Sequence, residues 1–142
     1  MSSLGDVITA LATRIKTGMG SDVLSGRTFD YAVDSVNTPC AIVLPDPGGD
    51  FVSFDTTMDG ADDFALIVKV LISSAISRTG QDQLLGYMDR SGATSIRTAI
   101  YGDKTLGGVV ADLMVVGARN YGDVEYAGIQ YFGAELMVTV YT

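Results

Sequence analysis

The segment from Phe64 to Ser74 limits the possible folds more than any other. Phe64, Leu66, Val68, Val70 and Ile72 alternate there with Ala65, Ile67, Lys69 and Leu71, the period of two that an extended strand converts into two faces. Both faces are apolar, so the strand belongs inside a sheet with cover on each side. A membrane helix needs ~20 apolar residues, and this run is too short and is interrupted by Lys69. With 142 residues, 47% of them apolar and 18% charged, the chain has the material to enclose such a strand in one core. No linker or shift in composition divides it, so residues 1–142 are expected to form a single domain.

Other segments supply the rest of the sheet and its cover. Leu4, Val7, Ile8, Leu11 and Ile15 recur at helical spacing, predicting a helix over 4–17 with Ser3 as its cap, Asp6 in its first turn and Gly18 and Gly20 as its stop. Residues 18–39 lack a clear period and read as a long surface connection. Pro39 and Pro45 bound a short apolar strand at 40–45. Asp46-Pro47-Gly48-Gly49-Asp50 then has turn chemistry, and a return strand at 51–56 would complete a hairpin. Leu84, Leu85 and Met88, and then Ile96, Ala99 and Ile100, form two helical stripes separated by Gly92. Strands at 109–117 and 129–141 follow, the last carrying Phe132, Ala134, Leu136, Val138 and Val140 on one face. The expected fold class is α/β (α+β), a mixed sheet of about five strands with helices packed on one side.

Charge and residue types narrow the chemistry. There are 17 acidic residues, 9 basic ones, no histidine and a net charge of −8, so the surface should repel nucleic acid and anionic membranes. Asp6 sits where a secretory signal needs a basic run, so a soluble chain without a signal peptide is expected. Cys40 alone forms neither an intramolecular disulfide nor a zinc site, and without histidine no Ser-His or Cys-His nucleophilic pair exists. Neither a G-x-S-x-G elbow nor a P-loop occurs. Gly18-Met19-Gly20 with Gly26 follows a helix instead of a strand, the reverse of a dinucleotide fingerprint, and reads as a helix stop.

The acidic segment is a nearer match to a ligand site. Asp55, Thr57, Asp59 and Gly60 fit the first, third, fifth and sixth places of a calcium loop, but Leu66 stands where the bidentate Glu is required. The segment is therefore read as a solvated acidic loop, and no metal or cofactor is expected. Around it, Asp22, Asp30, Asp34, Asp46, Asp50, Asp55, Asp59, Asp62 and Asp63 face a single base, Arg27, between residues 22 and 63. Either turns are simply rich in solvated Asp, or this is a negative surface that keeps DNA from sticking. Tyr121, Tyr126, Tyr131 and Phe132 mark either a contact surface or ordinary sheet packing.

One family has this element order. The order, with Pro39-Cys40-Ala41-Ile42-Val43-Leu44-Pro45, the strand Phe64 to Ser74, Leu84-Leu85 before Ser95-Ile96, Thr105-Leu106-Gly107-Gly108-Val109-Val110 and Tyr131-Phe132-Gly133-Ala134-Glu135-Leu136, resembles the tail terminator (tail completion) proteins of long-tailed bacteriophages. The resemblance covers residues 4 to 141 and rests on strand and turn patterns. It implies a structural, non-enzymatic virion protein at the neck, assembled in the host cytoplasm. Six copies would form a ring that caps the tail tube, stops its polymerisation and joins a head-tail connector or stopper protein, while DNA passes through without specific binding. Another neck protein, such as a head-completion or stopper component, fits the same features, and a small acidic enzyme is the remaining alternative.

Within that reading three surfaces are expected. Asp46, Pro47, Gly48, Gly49 and Asp50, with Arg78 and Gly80 in the loop Ser77–Gly80, would contact the tube or connector; a mere turn is the alternative. Ile67 and Leu71, on the sheet face opposite the helices, would be buried between ring neighbours, interior packing being the alternative. Asp59, Asp62 and Asp63 would line the channel, where acidic walls repel a duplex over a reach of about 8 Å.

Overall fold

The computed structural model describes residues 3–20, 22–31, 37–53, 62–73, 77–92 and 94–142. The doubly apolar strand β4 (Asp63–Ser73) lies at the centre of a six-stranded sheet. One side of β4 pairs antiparallel with β6 (Ile129–Tyr141), which pairs in turn with the outer strand β5 (Asp112–Tyr126). Its other side is shared by β2 (Cys40–Pro45) and β3 (Val52–Ser53), both antiparallel to it. A two-residue strand, β1 (Thr28–Phe29), runs parallel to β2 and makes the sheet mixed. Helices α1 (Leu4–Gly18), α2 (Arg78–Met88) and α3 (Ile96–Tyr101) complete the α+β fold.

Alternation decides which face the helices cover. Phe64, Leu66, Val68, Val70 and Ile72 of β4 and Phe132, Ala134, Leu136, Val138 and Val140 of β6 join Val7, Leu11 and Ile15 of α1, Leu84 and Tyr87 of α2 and Ile96 and Ile100 of α3 in one core. Ser3 caps α1, its hydroxyl accepting from the Asp6 N–H at 3.2 Å. Gly18 lets α1 approach α3 closely, because a Cβ at that position would run into Ala99. The Arg14 Nε donates to the Ala99 carbonyl at 3.0 Å and fixes the same crossing. The buried Tyr87 hydroxyl donates to Asp22 Oδ1 at 2.7 Å, tying α2 to the 3-10 turn Val23–Arg27 inside the long 18–39 connection.

Several sequence expectations change. Strands β2 and β3 do not form a hairpin: they lie end to end along one edge of β4, with Pro45 opposite Leu66 and Val52 opposite Phe64. Both ends of the turn between them bond to Ala65, whose carbonyl accepts from Asp46 N–H at 3.0 Å and whose N–H donates to Phe51 at 2.9 Å. The last part of the expected 51–56 strand lies outside the described residues. Ser77–Gly80 is not a loop but the cap and first turn of α2, where Ser77 Oγ accepts from the Gly80 N–H at 3.0 Å. Leu85, placed by periodicity in an apolar stripe, is exposed.

The fourth expected strand, 109–117, starts later and runs further. Leu106, Gly107 and Gly108 take positive φ values in a turn that delays β5 until Asp112. Irregularities in register between Val115 and Gly117 and between Arg119 and Gly122 then carry the strand on to Tyr126.

Candidate functional site

On the face away from the helices, register places three charged side chains in one row. Lys69 of β4 stands opposite Glu135 of β6, which stands opposite Arg119 of β5. Glu135 is buried; its Oε2 lies 3.7 Å from Lys69 Nζ, and its Oε1 accepts from Arg119 Nε at 3.2 Å and from Asn120 Nδ2 at 2.6 Å. Arg119 Nη2 also donates to Asp46 Oδ1 at 2.6 Å, so the row ends on the turn after β2. Burial alone would raise the Asp46 carboxyl, but bonds from the Gly48 N–H and the Arg119 guanidinium outweigh it and hold the pKa below the ordinary value. Asp46, first among its partners, holds the Arg119 guanidinium more firmly protonated. A polar cavity of about 430 Å³ opens beside the row, bounded by Lys69, Glu135, Asn120, Tyr121, Asp123, Val124 and Glu125. The row's own charges, Lys69 and Arg119 against Glu135 and Asp46, compensate one another, which makes it a clamp across the sheet.

Toward the end of β4 the same face is closed. Cys40, Ile42, Leu71, Val124, Tyr126 and Tyr131 form a second apolar cluster, with Phe29 and Leu44 against it. Burial pushes the Cys40 thiol up to about 11 despite a backbone bond with Leu71 and the charge of Arg27, so at neutral pH it stays protonated and a poor nucleophile. Among the described residues no three His, Cys, Asp or Glu side chains converge as a metal site. Asp55, Thr57, Asp59 and Gly60, the partial calcium-loop match, lie outside the described residues. No helix among the described residues is long and apolar enough to cross a membrane.

The three expected surfaces are redistributed. Ile67 and Leu71 are each 0% exposed within the single chain, Leu71 inside the second cluster, so neither waits for a neighbour to cover it. The tube-contact group divides. The Asp46–Asp50 turn sits beside Ala65 near the start of β4, whereas Arg78 follows its end at Ser73, about 25 Å away along the strand. Asp46 is held by Arg119, while Pro47, Gly48, Gly49 and Asp50 are exposed. Gly80 is buried against Ser77 and Ile72, leaving Arg78 exposed on the first turn of α2.

The acidic residues fall in two places. Asp59 lies outside the described residues. Asp62 and Asp63 are at the start of β4, where Asp62 exchanges backbone and hydroxyl bonds with Thr142 and Asp63 is exposed opposite Tyr141. Of the aromatic group, Tyr126, Tyr131 and Phe132 are buried; Tyr121 is exposed, edge-on to Phe132 at 5.3 Å.

Sequence reasoning missed both the charged row and the outer edge of β5, which pairs with no further strand among the described residues. Two charges of opposite sign in otherwise apolar strands, Lys69 and Glu135, were the signal for the row, since buried charges are kept in pairs. Along the outer edge of β5, Met114 is 51% and Val116 58% exposed. A cavity of about 240 Å³ lies between Met88, Arg90, Arg97, Leu136 of β6 and Val115 to Ala118 of β5. The Tyr101 hydroxyl accepts from the Val115 N–H at 2.9 Å, blunting one donor of the edge. No family model matches the sequence, and a search of curated proteins finds no significant match.

Proposed function

We propose that the chain is a structural virion subunit of the tail terminator kind, working without catalysis. Six copies close into a ring at the neck that caps the finished tail tube, halts its polymerisation and presents a second face to the head-tail connector or stopper protein. The resemblance in the order of elements is the starting point, and the observation that carries the reading is the outer edge of β5, with Met114 and Val116 more than half exposed. A long edge strand carrying apolar side chains suits a neighbouring subunit, and a head-to-tail contact repeated at a closing angle makes a ring.

The acidic end of the sheet supports the same reading. Asp63 and Asp112 both stand opposite Tyr141, and Asp62 precedes Asp63, so these carboxylates gather where β4 and β5 begin and β6 ends, with Lys104 3.2 Å from Asp112. Facing a narrow lumen, such an end lets duplex DNA pass by repelling its phosphates. The exposed Pro47-Gly48-Gly49 segment of the neighbouring turn is the tube-facing contact.

The test is tube length. Tail-tube protein polymerised with the purified chain should give tubes of arrested length with a ring at one end. Tubes that grow to the same lengths with and without it, and carry no added density at either end, would overturn the reading.

A further inference from the structure

We infer that the ring closes through two dissimilar edges of the sheet, the β5 edge of one copy seating on the Asp50–Phe51 edge of the next. This rests on the ring reading above and names its contact surfaces.

The argument starts from charge. A chain of net charge −8 meets another copy against general repulsion, so contact is favoured where one of its few basic patches finds an acidic one. Arg90 and Arg97 make such a patch beside the exposed Val116. Arg97 is fixed there, its Nη1 donating to the Arg90 carbonyl at 3.2 Å and its guanidinium lying 4.3 Å from the Tyr101 ring centre.

The opposite edge is complementary. A cavity of about 350 Å³ there has Gly49, Asp50, Phe51 and Val52 among its walls, with Asp50 and Phe51 exposed. Apolar side chains with Arg90 and Arg97 on one edge face Phe51 and Val52 with the exposed Asp50 on the other. Two β5 edges facing each other would instead set arginine against arginine, so the contact is head-to-tail. Asp50 thereby moves from the tube contact to the ring contact.

Two variants of the full chain, Val116→Glu and Asp50→Arg, test this by native mass spectrometry and sedimentation. Both sites are exposed, and thermal melts matching the unaltered chain confirm folding. Each variant alone should associate at least about tenfold more weakly. An equimolar mixture should associate again into complexes holding both in equal number, because each supplies the intact edge the other lacks. Arg90→Glu, which leaves the strand untouched, should behave like Val116→Glu. Full assembly of Asp50→Arg beside a monomeric Val116→Glu would mean that β5 edges face each other, and would overturn the inference. Full assembly of both would place the contact elsewhere and leave the ring standing. An unaltered chain that stays monomeric at every concentration would overturn edge contact and ring together.

Discussion

Arg119 Nη2 lies 2.6 Å from Asp46 Oδ1, joining the outermost strand on one side of the sheet to the turn that leaves β2 on the other. The turn that looked free to project is therefore fastened at its first residue. Asp46→Asn should cost about 1–2 kcal/mol at neutral pH, the worth of a charge-assisted bond that is only partly buried. The folded-state pKa of Asp46 is depressed, so its contribution is complete above the ordinary value of 3.8 and is lost as pH falls through the lower folded value. Denaturant melts should show a gap between the two proteins that is full at pH 6 and closes below about pH 4.

Glu135 is the hub of the charged row, and removing it leaves Lys69, whose side chain is only 16% exposed, without its carboxylate. Glu135→Ala should cost about 3–5 kcal/mol, whereas Lys69→Met combined with Glu135→Leu should recover most of that loss. Equal destabilisation by the single and double changes, read from chemical denaturation, would contradict the pairing.

Leu71 distinguishes interior packing from a subunit contact. Because it is fully buried within one chain, Leu71→Ala should lower the stability of the isolated subunit by about 2–5 kcal/mol. Unchanged melting of the monomeric chain, with assembly alone impaired, would return this residue to an interface.

Gly133 of β6 stands opposite Leu71 of β4, and a Cβ there would collide with the Val70 carbonyl oxygen. That oxygen belongs to a sheet rung and cannot swing aside. Gly133→Ala should destabilise by about 2–3 kcal/mol, measured by thermal unfolding, although alanine is the smallest possible addition.

Strands and helices whose partners are local or strictly periodic were legible in the sequence. Helix α1 with its Ser3 cap, both faces of β4 and the full span of β6 follow from spacing alone. What depended on register was not. Gly117 to Tyr126 breaks alternation with Gly117, Asn120 and Gly122, and only pairing with β6 through its irregularities reveals one continuous strand. Asp46 and Arg119 are 73 residues apart, and nothing in either neighbourhood announces the other. The apolar second face suggested an intersubunit contact at Ile67 and Leu71 because burial within the chain itself, for Leu71 by the second cluster, cannot be read from one strand.

The central claim is closure into a ring, and native mass spectrometry of the purified full chain tests it most directly. The account predicts one dominant assembly at six times the 14.9 kDa chain mass, with no growth beyond it as concentration rises. A monomer at all concentrations, or an open ladder of ever larger species, would contradict it.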